Sequence, residues 1–332
     1  MKKKLIQLLI ISALFLQFIN LKAQPYVIDN EEIDGLKNAK LYVVMATEET
    51  DINNEYIDVF KENWKYCPYE IIEPKDILKY MKKGAYFMNM SVSFFSSTST
   101  YCLSTRSCLN YELSIYTPKT SFLNKLNRNS SRIPNMGLDE IANKVAYIKL
   151  KLDDAKRFTY SEPLEGDFMG KGFILTSGSG YLKNYLQFLQ TSLLEENFLN
   201  EKYDYCDEKE IFKLKSTILY VPSELLRKYS EDSKKPEENF YKMSEVVKEY
   251  KYPGKLEVIS TEQINEMIQT SEENFYYLSL YTSYNNEIVT RNIVTITNSI
   301  SGEIIYKETM SFGKTFSPKL FKNLSKLLIE GN

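Results

Sequence analysis

Short apolar runs alternate along this chain with segments whose apolar residues recur every three or four positions, and the alternation occurs twice. Leu41-Tyr42-Val43 opens an apolar strand, and Leu219-Tyr220-Val221 opens another far downstream. Behind the first, Ile57, Phe60 and Trp64 share one face at helical spacing; behind the second, Tyr241 to Tyr250 take that part. The next stretches align position by position, with residues 70–77 (EIIEPKDI) set against residues 257–264 (EVISTEQI). Each reads as a strand, a capping turn and a second helix. Gly84 ends the first of these helices and leads into a strand from Tyr86 to Val92, whose counterpart runs from Tyr276 to Tyr281.

Period-two strands follow in both copies, Tyr111 to Tyr116 and Asn292 to Thr297. In the second copy, Ser301-Gly302 makes a turn and Glu303 to Met310 returns as a hairpin. Closing helices are expected over Tyr181 to Phe198 and Pro318 to Ile329, with Lys183-Asn184 matched by Lys322-Asn323. The pattern therefore predicts an α/β protein of two tandem, diverged β-α-β-α-β-(β-hairpin)-α modules. Strand and helix alternation implies mixed, partly parallel sheets. The first module spans 24–205 and the second 206–332. Residues 118–168 read as an insertion without an equivalent, carrying the charged run Asn127 to Asn135 and one extra strand, Ala146 to Leu152.

The N-terminus departs from this pattern. Lys2, Lys3 and Lys4 precede an apolar stretch from Leu5 to Leu16 and a mixed segment to Lys22, the three regions of a secretory signal peptide. Cleavage is expected between Ala23 and Gln24, since a cut one residue later would place Pro25 behind the scissile bond. The apolar stretch is shorter than the roughly 20 residues that span a bilayer, and the mature chain is expected to carry no membrane span. Periplasmic or secreted localisation follows. The leader, with its Lys-Ala-Gln end, and the lysine, asparagine, isoleucine and tyrosine bias resemble exported proteins of AT-rich bacteria. The module order is similar to that of several α/β modules in envelope assembly proteins, at the level of fold alone.

Charge excludes one class of partner. Removing residues 1–23 takes four of the 42 basic residues and none of the 44 acidic ones, so the mature chain is net acidic. Both signs are interspersed, with no basic stripe to follow a phosphate backbone, so nucleic acid is not expected to bind.

The chain has no histidine, which removes the commonest general base and every Ser-His-Asp or Cys-His arrangement. Its four cysteines, Cys67, Cys102, Cys108 and Cys206, match no zinc-ligand spacing. Cys102 and Cys108 form the candidate disulfide, across a Ser/Thr-rich turn. Asp51, Asn53, Glu55 and Glu62 fall in a calcium-loop register, but Tyr56 stands where the loop needs glycine, and the same residues read as an amphipathic helix. No metal or cofactor is expected.

Two segments remain as candidates for binding. In the first, Ser177, Gly178, Ser179 and Gly180 lie between an expected strand, Phe173 to Leu175, and a helix, where backbone amides can cradle an anion. In the second, a hydroxyl-rich run from Ser91 to Ser107 carries Phe94, Phe95 and Tyr101 and reads as an edge strand with a loop, offered to a partner chain. Aromatic residues at matching positions of the two copies, such as Trp64 with Tyr250 and Tyr86 with Tyr276, read as core by their periodicity. The expected function is that of a non-catalytic binding or interaction protein of the bacterial envelope, its partner another envelope protein. The alternatives are a histidine-free hydrolase acting through two carboxylates on a glycan, and a small-anion-binding protein.

Overall fold

A computed structural model describes residues 26–27, 30–45, 51–98, 105–128, 141–150, 176–195, 204–226, 241–284, 290–310 and 317–330. The first half contains β1 (Tyr26–Val27), α1 (Asn30–Lys37), β2 (Leu41–Val44), α2 (Asp51–Asn63), β3 (Tyr69–Ile72), α3 (Ile77–Tyr80), β4 (Tyr86–Thr98), β5 (Thr105–Pro118), α4 (Thr120–Arg128), β6 (Ala142–Leu150) and α5 (Ser179–Glu195). The second contains β7 (Tyr205–Cys206), α6 (Glu208–Ile211), β8 (Ile218–Pro222), α7 (Met243–Tyr250), β9 (Lys255–Ile259), α8 (Thr261–Thr270), β10 (Tyr276–Tyr284), β11 (Thr290–Asn298), β12 (Ile304–Met310) and α9 (Lys319–Glu330).

The fold is α/β with two mixed sheets. Their strand orders are β1-β6-β5-β4-β2-β3 and β7-β12-β11-β10-β8-β9. In the first, β3, β2 and β4 are parallel while β4, β5, β6 and β1 are antiparallel; in the second, β9, β8 and β10 are parallel while β10, β11, β12 and β7 are antiparallel. Parallel strands covered on both faces read as unbroken apolar runs, and all four residues of β2 are buried.

One face of the first sheet buries Leu41, Val43, Met88 and Ile115 against Ile33 and Leu36 of α1, Tyr56 and Phe60 of α2, and Leu182, Leu186 and Leu189 of α5. Its other face packs Tyr42, Phe87 and Tyr116 with Ile77 and Tyr80. The second sheet repeats the arrangement. Leu219, Val221, Leu278 and Ile296 meet Ile211 of α6, Val246 of α7, and Leu320, Phe321 and Leu324 of α9, while Tyr277 on the opposite face meets Ile264 and Ile268 of α8.

A polar contact recurs with the apolar ones. The buried Tyr86 donates its hydroxyl to Glu32 of α1 at 2.8 Å, and the buried Tyr276 donates to Glu210 of α6 at 3.1 Å. Gly35 lets the first phenol through, because a Cβ there would stand 2.1 Å from the Tyr86 oxygen. Local signals fix the helix starts: Ser260 and Gln263 make a reciprocal capping box on α8, and Asp207 caps α6 through the amides of Lys209 and Glu210.

The expected strands and helices that fall on described residues form, with three differences. β1 with α1 and β7 with α6 were not anticipated: two-residue strands give almost no periodicity, and α6 is a single turn. Tyr205 and Cys206 both pair with β12, so the expected module boundary after residue 205 cuts a strand of the second sheet. The expected extra strand of the insertion is β6, and it occupies the same sheet position as β12. The spacing hid this, because β11 joins β12 through a short turn at Ser299 to Glu303, whereas α4 intervenes between β5 and β6. The expected strand at 173–175 and most of the charged run at 127–135 lie outside the described residues.

Candidate functional site

The anion-nest candidates meet at the N-terminus of α5, which lies between the two sheets. Its apolar ridge of Leu182, Leu186, Leu189 and Leu193 belongs to the first core, whereas Tyr181 and Tyr185 pack with Ile264, Ile268 and Tyr277 of the second half. Asn265 of α8 sits over the first turn. Its Oδ1 accepts from the amide of Gly180 at 2.8 Å and from that of Tyr181 at 3.4 Å. A Cβ on Gly178 would lie 2.0 Å from Asn265 Oδ1, and one on Gly180 would lie 2.3 Å from the Asn265 carbonyl oxygen. The glycines serve the approach of a second helix, and the Gly180 amide of the candidate nest already donates to Asn265. In effect Asn265 acts as an N-cap supplied from the other half of the chain.

Further bonds close this seam. Ser179 donates to Glu55 at 3.1 Å and accepts from Gln269, while Tyr56 donates to the Ser177 carbonyl at 2.7 Å. Lys183 donates to the Ile268 carbonyl at 3.1 Å, Asn184 to the Ser299 carbonyl at 2.8 Å, and Tyr277 to Asn184 Oδ1 at 3.0 Å. Burial pushes the phenols of Tyr185 and Tyr277 up, so both remain neutral donors. Beside these groups lies a cavity of about 50 Å³ lined by Tyr185, Phe188, Tyr277, Thr295 and Thr297 among others. That is room for a few waters, well below the roughly 300 Å³ at which ligand pockets begin.

The other candidates do not converge. Asp51, Asn53, Glu55 and Glu62 all lie on or within α2. On a helix Asn53 and Glu55 point roughly 200° away from each other, and Glu62 stands about 10 Å further along the axis than Glu55, so the set cannot wrap one cation. No group of three metal-ligating residues exists among the described residues. Cys102 lies outside the described residues, and Cys108 is paired through its backbone with Phe95. Burial lifts the thiols of Cys67 and Cys206 to about 11. Both are expected to resist alkylation in the folded protein at neutral pH and to react fully in denaturant, as mass spectrometry of the alkylated chain would show.

Among the acids on described elements, Glu308 has its pKa raised. Burial raises it most, the hydrogen bonds from Tyr306 and Asn323 oppose the rise, and the charge of Asp204 adds to it. Both its oxygens are occupied, by Tyr306 and Asn323 at 2.6 Å each, and Asp204 accepts from the amide of Thr309 at 2.7 Å. A carboxyl whose pKa is raised by folding stabilises the fold below its unfolded pKa, and that stabilisation is lost as pH rises through the folded value. Glu308→Gln is therefore expected to gain stability over the parent as pH climbs above the carboxylate range, read from denaturation midpoints at pH 4 and pH 7.

The second candidate segment forms strands. β4 and β5 pair in unbroken register from Phe87 opposite Tyr116 to Thr98 opposite Thr105. On its other side β4 meets β2 through Tyr86, Phe87 and Met88 alone, and β6 reaches β5 no further than Tyr111. Among the described residues, Ser91 to Thr98 and Thr105 to Asn110 thus form a two-stranded arm whose β2-side edge has no neighbouring strand. The chain is defined by its fold: a two-sheet α/β protein with a polar internal seam. No protein-family model, curated protein or solved structure matches it. No helix among the described residues is long and apolar enough to cross a membrane.

Proposed function

We propose that this is an exported envelope protein whose mature part arose by tandem duplication, and that it works without catalysis by engaging a protein partner along the open edge of β4. Support for the duplication comes from the shared strand order and from the equivalent Tyr86–Glu32 and Tyr276–Glu210 bonds, which involve helices the sequence self-alignment did not include. Support for export comes from the leader of residues 1–23, with the periplasm or the medium as destination.

The observation that carries the binding role is the arm itself. An unpaired strand edge presents a row of donors and acceptors that recruits an extended chain. Crosslinking and recovery of the chain from Gln24 onward, from envelope and medium fractions, tests it. A partner retained by the parent and lost when Phe94 and Phe95 are both changed to serine, with far-UV and Trp64 spectra unchanged, is the expected result. Recovery undiminished by that double change would place the interaction elsewhere.

A further inference from the structure

Topology gathers at one end of the first sheet what the sequence scatters. β2, β3 and β4 start level with one another, since Leu41 pairs with both Tyr69 and Tyr86, and β5 finishes beside the start of β4, where Tyr116 pairs with Phe87. The connections that meet there are residues 37–40, 64–68 and 81–85, with Lys119 following β5. They carry Lys37, Lys40, Lys65, Lys82, Lys83 and Lys119 and no acid. The matching connections of the second half are mixed, with Glu272 and Glu273 beside Lys213, Lys215 and Lys251, so the fold itself does not demand the charge. The chain from Gln24 onward is net acidic, which makes this end opposite in sign to the rest.

These lysines are not equally placed. Lys40 is paired with Glu70 at 3.1 Å, Lys65 donates to the Lys61 carbonyl at 2.6 Å, and Lys119 is half-buried, whereas Lys37, Lys82 and Lys83 are exposed. A lysine in the last turn of a helix answers the helix dipole. Lys82 and Lys83 lie beyond the end of α3, however, and the last-turn lysines Lys61 and Lys79 are held by Asp58 and Asp76 three residues earlier.

The surroundings choose the partner. α1, α2 and α3 all end here, so the backbone presents carbonyl groups, whereas a compact anion is held by helix N-termini. The lysines reach past those carbonyls from connections into three adjacent strands, β4, β2 and β3, a span of roughly 10 Å. No arginine and no exposed aromatic residue stands among them, although such residues anchor protein partners and lysine is depleted from protein interfaces. Leu78 of α3, close to Lys82 in sequence, adds an apolar side chain that is 42% exposed.

We infer that this end of the first sheet seats the protein on a surface of anionic lipid headgroups, through Lys37, Lys82 and Lys83 with Lys40 and Lys65 beside them. Each lysine near such a surface strengthens partitioning about fivefold, so the attachment is reversible and sensitive to salt. β4 runs from this end to Thr98, roughly 40 Å along the strand, so a seated chain holds the open edge of β4 away from the lipid. The inference does not depend on what occupies that edge.

Co-sedimentation of the chain from Gln24 onward with lipid vesicles tests it. The chain is expected to bind phosphatidylcholine vesicles containing about 30% phosphatidylglycerol at about 25 mM salt and to leave them at about 500 mM, where charges are screened within a few ångströms. Vesicles of phosphatidylcholine alone are expected not to bind it. K82Q/K83Q is expected to lower partitioning about 25-fold and K37Q about fivefold, with parental far-UV and Trp64 spectra. K319Q/K322Q removes as much charge from exposed positions on α9 and is expected to bind as the parent does. If K82Q/K83Q loses the parental spectra, K37Q alone carries the test. No binding to the anionic vesicles at low salt, equal binding to neutral ones, or an equal loss in K319Q/K322Q would each overturn the inference, the last because net charge rather than this end would then set the attraction. Should vesicles fail while recovery from the envelope yields an acidic protein that K82Q/K83Q loses, the end serves that protein and the inference also falls.

Discussion

Gly180→Ala is expected to lower the stability of the whole chain by about 3 kcal/mol, the upper part of the range for forcing a methyl into closed packing. The added Cβ would meet the Asn265 carbonyl oxygen at 2.3 Å, and that oxygen belongs to the backbone of α8. It moves only if the helix moves, and Ile264 and Ile268 anchor that helix in the aromatic cluster around Tyr277. Gly178→Ala meets a different obstacle, the side-chain Oδ1 of Asn265 at 2.0 Å. Adding Asn265→Ala is therefore expected to rescue Gly178→Ala in part and Gly180→Ala hardly at all. By itself, Asn265→Ala is expected to cost about 1 kcal/mol, the usual loss of a helix N-cap. Guanidinium midpoints for the three single variants and the two double changes decide it. Equal rescue at both glycines would mean that α8 yields and the approach is not tight.

Leu186→Ala is expected to cost about 2–5 kcal/mol, the range for emptying a buried leucine site, and to do so in both halves at once. Leu186 is fully buried in the first core, and the helix that carries it also places Tyr181 and Tyr185 against the second sheet. The single tryptophan makes the claim measurable. Trp64 is 2% exposed and packs in the first core alone, so its emission follows the first half while amide exchange in β10 follows the second. Both signals are expected to shift by the same free energy. A midpoint lowered for Trp64 with β10 protection untouched would mean that the halves unfold independently and that the seam is a contact of convenience.

The parts of this architecture that could be read in advance were those with repeated local pattern. Leu41-Tyr42-Val43, the helix face of Phe60 and Trp64, and the match of residues 70–77 with 257–264 depend on neighbours in sequence, and strand and helix periods report such neighbours directly. The seam depends on residues 85 positions apart, Gly180 and Asn265. The Gly178-Ser179-Gly180 signal was visible, but a glycine pair at a helix start looks the same whether it admits an anion or another helix, and Asn265 carries no mark of its destination. The hydroxyl-rich run was legible as an edge. Its extent was not, because period two without a charged face does not distinguish strand from loop. α1 and α6 were missed although they supply Glu32 and Glu210, since a carboxylate near a helix start reads first as a response to the helix dipole.

The position of α5 also bears on the order in which the chain takes shape. β1 pairs with β6, so the first sheet cannot close until residue 147 has joined residue 26. α5 follows, completes that core, and turns Tyr181 and Tyr185 outward as the surface that covers Tyr277. A chain delivered from its N-terminus therefore reaches its second half with a template already built, and that half has a finished wall to fold against. Reversing the two halves by circular permutation would remove the template while keeping the contacts around α5, so folding during synthesis would slow while the final stability stayed the same.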